Sequence, residues 1–346
     1  MSQEQPFIPT ITIVMPVYNV AAYVERCLLS VMRQTRPADE CIIVDDASPD
    51  ESIAKCERLI AEYKGPTRFK ILHHKEKKGL SAARNTGTNA ATCDYIYYLD
   101  SDDEITHDCL EKLSEPLTRD NSIEMVMGNN QKDVSDLHLS KWKQFVDFNY
   151  SNWIEDSPTE LHTNADLRKW FFKGGKYKRP PYVWNKLLKL DFIKSHQIYN
   201  KEGLLFEDRL WSYNLMHHLN HAAFVKDITY IYHRRPASIV TATKYEDILR
   251  HRGLFYLEYA KNVVPGEHIE EAEYYSKGFC DYYIDAHYDT NYQYAYRIFQ
   301  RELSDGHHRR MVFVLSLTHH LGKNNAGRRI FKFLRTIHAL ILRISR

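Results

Sequence analysis

Short apolar runs alternate with segments of helical periodicity along the first hundred residues of the chain. Four apolar runs predict buried strands: ITIVMP (11–16), CIIVDD (41–46), FKILHH (69–74) and YIYYLD (95–100). Apolar and small residues at helical spacing predict helices between them, including 79–91. Segment 48–51 fits a helix start capped by Ser48. This alternation predicts an α/β fold in which helices cover both faces of a mostly parallel sheet.

Three of the predicted strands end in polar residues. Pro16 to Asn19 close the first strand, Asp45-Asp46 the second, and Asp100 to Asp103 the fourth. Ligands gather at the carboxyl ends of strands in such sheets, so we expect these residues to meet. No GxGxxG follows the first strand and no GxxxxGK[ST] occurs, so neither usual phosphate-binding loop is present.

The acidic turn Asp100-Ser101-Asp102-Asp103 places three carboxylates in four positions. Like charges this close repel and resist burial. A hard divalent cation such as Mg²⁺ or Mn²⁺ would offset the repulsion and bridge the carboxylates to a phosphate. Acidic turns are more often solvated loops. Its position at a strand end, near Asp45-Asp46, favours the metal site here.

Four linked motifs resemble family 2 glycosyltransferases with the GT-A fold. They are IVMPVYNVAAYVERCLLSVMRQT, ECIIVDDASPDES, KGLSAARNTG and YIYYLDSDDEI, spanning about residues 10 to 130. Weaker similarity continues at 183–198, 204–215 and 230–240. The resemblance implies an inverting transferase that uses a nucleotide-activated sugar, usually UDP-linked, and a divalent metal, Mn²⁺ or Mg²⁺.

The resemblance also implies roles for individual residues of the donor site. The expected nucleotide-sugar contacts are Pro16, Tyr18, Asn19, Asp46, Arg84, Asn85 and Asp100. In the acidic turn it implies Asp102 as the central metal ligand, with Asp100 or Asp103 serving the ribose or a metal-bound water.

Glu207-Asp208 opens a predicted amphipathic helix. An acidic pair in a first helical turn commonly only complements the helix dipole. The resemblance instead implies Asp208 as the base that takes the acceptor proton, with Glu207 as its neighbour or an acceptor ligand. It further places His233 and Arg234 over the diphosphate, although a basic segment after a strand can be a plain solvated edge.

A third group of residues is expected on the acceptor side. The resemblance implies that Trp184, Asn185 and Lys186 build the acceptor pocket, while Lys186 alone could be a surface charge.

Composition narrows the classes of protein. Hydrophobic residues make up 43% of the 346 residues and charged residues 27%, as in ordinary globular proteins. The net charge of +2 lacks the strong positive charge that is typical of nucleic-acid-binding proteins. Six cysteines without a CxxC pair predict reduced core residues. We see no signal peptide and no apolar run of membrane-spanning length, so a cytoplasmic location is expected.

Two domains are expected. Residues 1–240 form the GT-A domain, with a nucleotide-sugar half at about 8–130 and an acceptor half at 131–240, and residues 241–346 form a helical accessory region. The tail 327–346 is basic and apolar without an acid, so it predicts peripheral contact with the anionic inner face of a membrane. The alternative is a terminal helix docked on the accessory region.

The leading hypothesis is metal-dependent transfer of a sugar from a nucleotide-sugar to a hydroxyl of a glycan or lipid-linked acceptor, in bacterial polysaccharide synthesis. A nucleotidyltransferase is an alternative, but PVYNVAAYVERC lacks the Gly-rich basic stretch expected there. A non-catalytic nucleotide-sugar-binding protein is another, and the presence of Asp100, Asp102 and Asp208 argues against it.

Overall fold

A computed structural model describes residues 7–133, 154–173, 181–234 and 244–262. The chain divides into two compact units, one formed by residues 1–203 and 207–242 and the other by 204–206 and 243–346. The predicted membrane-binding tail 327–346 lies outside the described residues.

The first half of unit one is the predicted parallel α/β layer. Its elements are β1 (Ile11–Val17), α1 (Val24–Met32), β2 (Glu40–Asp45), α2 (Ser52–Glu62), β3 (Arg68–His73), α3 (Leu80–Ala90) and β4 (Tyr95–Tyr98). The four strands pair in parallel in the order β3-β2-β1-β4. β1, β2 and β4 are buried along their whole length, which explains their near-continuous apolar sequences.

The predicted helix start at Ser48 was wrong. α2 begins at Ser52, and Ser48 makes no capping bond to it. Instead, Asp50 Oδ1 accepts hydrogen bonds from the Ser52 N–H (3.1 Å) and from the Ser48 hydroxyl (2.8 Å). The carboxylate satisfies a backbone donor that the helix leaves unpaired, so the aspartate does the work expected of the serine.

The second half of unit one extends the sheet with mixed pairing. Its elements are β5 (Glu104–Ile105), α4 (Cys109–Arg119), β6 (Met125–Asp133), β7 (Glu160–Leu161), α5 (Asn164–Arg168), a π-helix (Lys169–Lys173), β8 (Lys186–Lys189), α6 (Leu190–Ser195), α7 (Asp208–His218) and β9 (Ala222–His233). β8 lies antiparallel between β4 and β6, β9 runs parallel to β6, and β5 and β7 pair antiparallel with β9.

Close packing joins α3 to the sheet. A Cβ added at Gly87 would lie 2.3 Å from Val14 Cγ1, so only glycine permits this approach of helix and strand. Five cysteines in the described residues are buried and free of disulfides, as the sequence predicted. Unit two contributes α8 (Tyr245–Asn262), where His251 Nδ1 accepts the Leu205 N–H at 3.0 Å. Among the described helices, none has the length and apolar character needed to cross a bilayer.

Candidate active site

The polar strand ends meet at one edge of the sheet, as the sequence predicted. In the parallel register Pro16 lies opposite Val44 and Val17 opposite Asp45, while β4 pairs alongside β1 and leads into Asp100. The acidic turn then continues into β5, which is held by β9. Residues far apart in sequence therefore share the carboxyl edge, where ligands of such sheets bind.

Arg84 on α3 joins the acidic turn to the start of α7. The guanidinium donates from Nη2 to Asp100 Oδ1 and from Nη1 to Glu207 Oε1, both at 2.6 Å. Arg84 is almost fully buried. Burial alone would lower the pKa of Arg84, but the charges of Asp100 and Glu207 outweigh it and raise the pKa. Arg84 is thus a fixed cation that positions two carboxylates, rather than a side chain that extends toward solvent.

Asp208 lies at the first residue of α7 beside Glu207. Its Oδ1 is buried and has no hydrogen-bond partner among the described residues. Burial, followed by the charge of Glu207, raises the pKa of Asp208 to about 7. Burial also raises the pKa of Glu207, although the charge of Arg84 counteracts this. The pair therefore consists of an ion-paired carboxylate and an unpaired neighbour whose protonation changes near neutral pH, as a general base requires.

Both carboxylate oxygens of Asp103 accept hydrogen bonds from β9. Its Oδ2 accepts the Tyr230 hydroxyl at 2.6 Å and its Oδ1 accepts the His233 N–H at 2.8 Å. The side chain is 1% exposed, and burial and the neighbouring Asp102 raise its pKa well above the usual range. These contacts argue against Asp103 as a ligand of the metal, and against its predicted role beside the ribose or a metal-bound water, because both oxygens hold the acidic turn against β9.

The remaining donors of the acidic turn suit a hard divalent cation. Asp102 is partly exposed at the strand end, and its backbone oxygen accepts from Arg26 Nη2 at 3.3 Å. Asp100 uses only Oδ1 for Arg84, and within the described residues Oδ2 makes no hydrogen bond. An all-oxygen carboxylate pair fits Mn²⁺ or Mg²⁺ by donor chemistry.

His233 lies between two carboxylates. Its Nε2 is 2.7 Å from Glu104 Oε1 and its Nδ1 is 3.3 Å from Asp133 Oδ2. The N–H of Arg234 donates to Asp133 O at 2.8 Å. The ring therefore links β5 to the ends of β6 and β9, and the predicted position of His233 over the diphosphate would require these contacts to open.

The loop after β1 is fixed to the loop after β2. Asn19, in the left-handed region with φ 55°, donates its N–H to Ser48 Oγ at 2.8 Å, and the Ser48 N–H donates to Asp45 Oδ1 at 2.8 Å. Lys77 Nζ lies 3.9 Å from the centroid of the Tyr18 ring. Sequence reasoning missed Lys77, and its only signal was the basic run KEKK before α3.

Asp46 holds the backbone segment that precedes α3. Its oxygens accept the N–H groups of Lys78 and Gly79, both at 2.7 Å, and His74 Nδ1 lies 2.8 Å from Oδ1. Gly79 has φ +96°, a conformation that favours glycine. The contact of Asp46 with a nucleoside base remains a prediction.

Asn85 binds the segment before α7 instead of pointing into open space. Its amide donates to Asn200 O (2.9 Å) and Glu202 Oε1 (3.2 Å), and its Oδ1 accepts the Asn200 N–H at 2.9 Å. These three bonds argue against the predicted nucleotide contact of Asn85.

Asn185 is a structural hub. Its amide donates to Gly128 O (2.9 Å) and Asn129 O (3.0 Å), and Oδ1 accepts from Tyr97 (3.2 Å) and Thr229 (2.7 Å). The residue is 1% exposed with φ 59°. Every polar position of the side chain is used, so the structure does not support the predicted acceptor contact of Asn185.

Trp184 and Lys186 flank this hub differently. Trp184 stacks between Tyr182 (4.5 Å between ring centroids) and Tyr230 (4.3 Å). Lys186 is buried and donates to the carbonyls of Tyr182 and Trp184. Burial lowers the pKa of Lys186 to about 7, although the charge of Asp208 favours the cation. Lys186 is therefore not a surface charge, and its interaction with Asp208 connects it to the candidate base.

Comparisons with known proteins identify the family of this chain and its relatives. The model of the family described as "Glycosyl transferase family 2" matches residues 12–178. Glycosyltransferase GlyG of Streptococcus pneumoniae is 27% identical over 66% of this chain and 72% of GlyG. The putative glycosyltransferase EpsH of Bacillus subtilis is 31% identical over 71% of this chain and 66% of EpsH.

A shorter match and a solved structure add to this. Staphylococcus aureus TarP, a poly(ribitol-phosphate) β-N-acetylglucosaminyltransferase, is 33% identical over 34% of this chain and 36% of TarP. The crystal structure of S. aureus TarS 1–349 with UDP-GlcNAc superposes with a TM-score of 0.69 at 16% identity, covering 94% of this chain and 92% of TarS 1–349. That likeness confirms the predicted GT-A architecture.

Proposed function

Because the chain belongs to glycosyl transferase family 2 and is a glycosyltransferase, we propose that it transfers a sugar, with inversion, from a UDP-linked donor to an acceptor hydroxyl in bacterial polysaccharide synthesis. The single observation that carries the catalytic part is the buried Asp208 Oδ1, which has no hydrogen-bond partner among the described residues, in a carboxyl whose pKa burial raises to about 7. A base with that pKa takes the acceptor proton as the new bond forms.

Donor binding is assigned to the carboxyl edge of the sheet. Tyr18 and Asn19 line the nucleoside side, and Asp102 with Asp100 would hold Mn²⁺ or Mg²⁺, which when bound supplies positive charge to the diphosphate. Arg84 bonds both Asp100 and Glu207, the neighbour of Asp208. One side chain therefore positions both the donor site and the segment that carries the base. The bond from the His233 N–H to Asp103 holds the acidic turn against β9.

The names of the relatives suggest which donor to test first. TarS 1–349 is solved with UDP-GlcNAc, and TarP transfers N-acetylglucosamine according to its name, so UDP-GlcNAc is the first donor to test. The acceptor is a glycan or a lipid-linked glycan. The basic tail 327–346 would bring the enzyme to the inner face of the membrane that carries such an acceptor.

A donor-hydrolysis and transfer assay tests the proposal. Full-length protein is incubated with a panel of UDP-sugars and Mn²⁺, UDP release is measured, and the anomeric configuration of the product is read by NMR. An α-linked donor is expected to give a β-linked product. A thermal-shift measurement accompanies the assay. Asp102→Ala is expected to abolish the rise in melting temperature that UDP with Mn²⁺ gives. Asp208→Asn is expected to keep donor binding and to lose transfer. Retained anomeric configuration, or full transfer by Asp208→Asn, would contradict the proposal.

A further inference from the structure

A second group of ligand-type side chains lies at the other end of the sheet. Glu160 of β7 pairs opposite Ala223 and Leu161 opposite Ala222 in the antiparallel ladder with β9. Glu160 and His162 are two residues apart and so face the same side, and continuing the register places His221 opposite His162. The β7–β9 register therefore brings two imidazoles and a carboxylate together.

The three potential ligand atoms are close enough to share one ion. His162 Nε2 lies 3.5 Å and His221 Nε2 3.7 Å from Glu160 Oε2, and all three atoms lie within 4.8 Å of one another. Tetrahedral Zn²⁺, with bonds of about 2.0–2.2 Å to nitrogen and oxygen, needs ligand separations of about 3.3 Å. Side-chain rotations that move the ligand atoms by on the order of 1 Å would bring them to the separations that the ion needs. We propose that Glu160, His162 and His221 form a binding site for Zn²⁺ or a similar borderline transition-metal ion.

His221 is prepared to act as a ligand. Its Nε2 is buried and has no hydrogen bond among the described residues. Its Nδ1 lies 3.0 Å from Ser122 Oγ, and the Ser122 N–H donates to Asp120 Oδ1 at 2.8 Å. When Nδ1–H donates to Ser122, the lone pair of Nε2 points to the shared centre, which is how protein metal sites commonly orient a histidine. A buried imidazole nitrogen without a hydrogen bond is costly unless something binds it.

This cluster is separate from the acidic turn in place and in chemistry. His221 immediately precedes β9, whereas Ile231 near the other end of β9 pairs with Glu104 beside the acidic turn. An extended strand of that length separates the two regions by on the order of 25 Å. Two imidazoles favour zinc-like ions, whereas an all-carboxylate set favours Mn²⁺ or Mg²⁺. The two sites therefore select different ions.

An ion at this site would stabilise the pairing of β7 with β9. β7 pairs with β9 through only two residues, and His162 is largely exposed. A metal bridging Glu160 and His162 to His221 pins this short strand to the edge of the sheet, and Thr163, which caps α5, follows directly. With three protein ligands, the fourth tetrahedral position is left to water.

Zinc titration of untagged, chelator-treated full-length protein tests this site. The measurement is calorimetry in excess Mg²⁺, which would occupy the proposed carboxylate site. Wild-type protein is expected to bind one Zn²⁺ with micromolar or tighter affinity and to melt at a higher temperature when loaded. His162→Ala and Glu160→Gln are expected to weaken binding about tenfold or more, and Ser122→Ala by about tenfold through the orientation of His221.

The controls separate this site from the rest of the molecule. His107→Ala, at an exposed histidine elsewhere, and Asp102→Ala, in the acidic turn, are expected to bind Zn²⁺ like wild type. His162 is exposed, so its variant should fold, which circular dichroism checks. Absence of Zn²⁺ binding to wild type would overturn the proposal. Binding that survives His162→Ala, or that is lost in Asp102→Ala, would overturn it as well.

Discussion

Replacing Asp208 with Asn is expected to stop sugar transfer and to stabilise the fold, with a stabilisation that grows with pH. The pKa of Asp208 rises from its ordinary 3.8 to about 7, because burial and the charge of Glu207 disfavour the carboxylate. The folded state therefore holds this proton more tightly than the unfolded state does. Between about pH 4 and pH 7 the unfolded chain releases its proton first, so Asp208 lowers the wild-type free energy of unfolding as pH rises.

The size of the effect follows from the pKa change. A change from 3.8 to about 7 corresponds to about 4 kcal/mol at 1.36 kcal/mol per pKa unit, which is an upper limit. The Asp208 side chain as a whole is partly exposed, so solvent screening reduces the expected gain to about 2 kcal/mol at pH 8 and about 1 kcal/mol at pH 5. Urea unfolding of wild type and Asp208→Asn at both pH values measures this difference.

Asp191→Asn is the matched control, because Asp191 is an exposed acid in the first turn of α6 and meets a helix dipole as Asp208 does. It is expected to change the free energy of unfolding by less than about 0.5 kcal/mol at either pH and to leave transfer intact. The same titration predicts that wild-type kcat/KM rises with pH and levels off above about pH 7. A stability gain that is independent of pH would refute the electrostatic argument, and a flat rate profile would remove Asp208 as the base.

Further substitutions test other parts of the structure. Arg84→Lys replaces the two-nitrogen fork that bonds Asp100 and Glu207 with a single ammonium, so urea unfolding should show a loss of about 2–3 kcal/mol, and transfer should fall with it; unchanged stability would refute the buried bridge. Asn185→Ala removes four buried hydrogen bonds at a residue with φ 59° and should cost about 3 kcal/mol, whereas Asn185→Asp, which keeps Oδ1, should cost less at low pH than at high pH. Gly87→Ala should cost about 1–3 kcal/mol by clashing with Val14, and Val14→Ala should suppress that cost in a double-mutant cycle.

The parallel half of the fold could be predicted because its signals are local. Each of β1 to β4 is a short apolar run, and the predicted bounds differ from the observed ones by one or two residues. The convergence of the strand ends followed from the parallel order alone. The mixed half gave weaker signals, because β5 and β7 have two residues each and are strands only through their pairing with β9.

Residue roles in the site were harder to predict, because they depend on distant partners. Asp102 and Asp103 are neighbours of the same type, yet Asp103 is bound by Tyr230, 127 positions away. Asn185 followed a tryptophan in a motif that implied acceptor binding, and its actual partners include Gly128 and Thr229. A residue type at a spacing limits which chemistry is possible, and only the tertiary contacts decide which side chains are already used by the fold.

The contacts of the site also explain why Asp208 is the carboxylate with the adjustable proton. Asp100, Glu207 and Asp208 are gathered around a single buried guanidinium, and Arg84 donates only to the first two. Burial disfavours the Asp208 carboxylate and the charge of Glu207 adds to this, so the carboxyl without a bond to Arg84 holds its proton up to about pH 7. A lysine placed to pair directly with Asp208 would lower its pKa and stabilise the fold, but it would also remove the base. The absence of a hydrogen bond at Asp208 Oδ1 in the described chain is therefore a stability cost that the proposed chemistry requires.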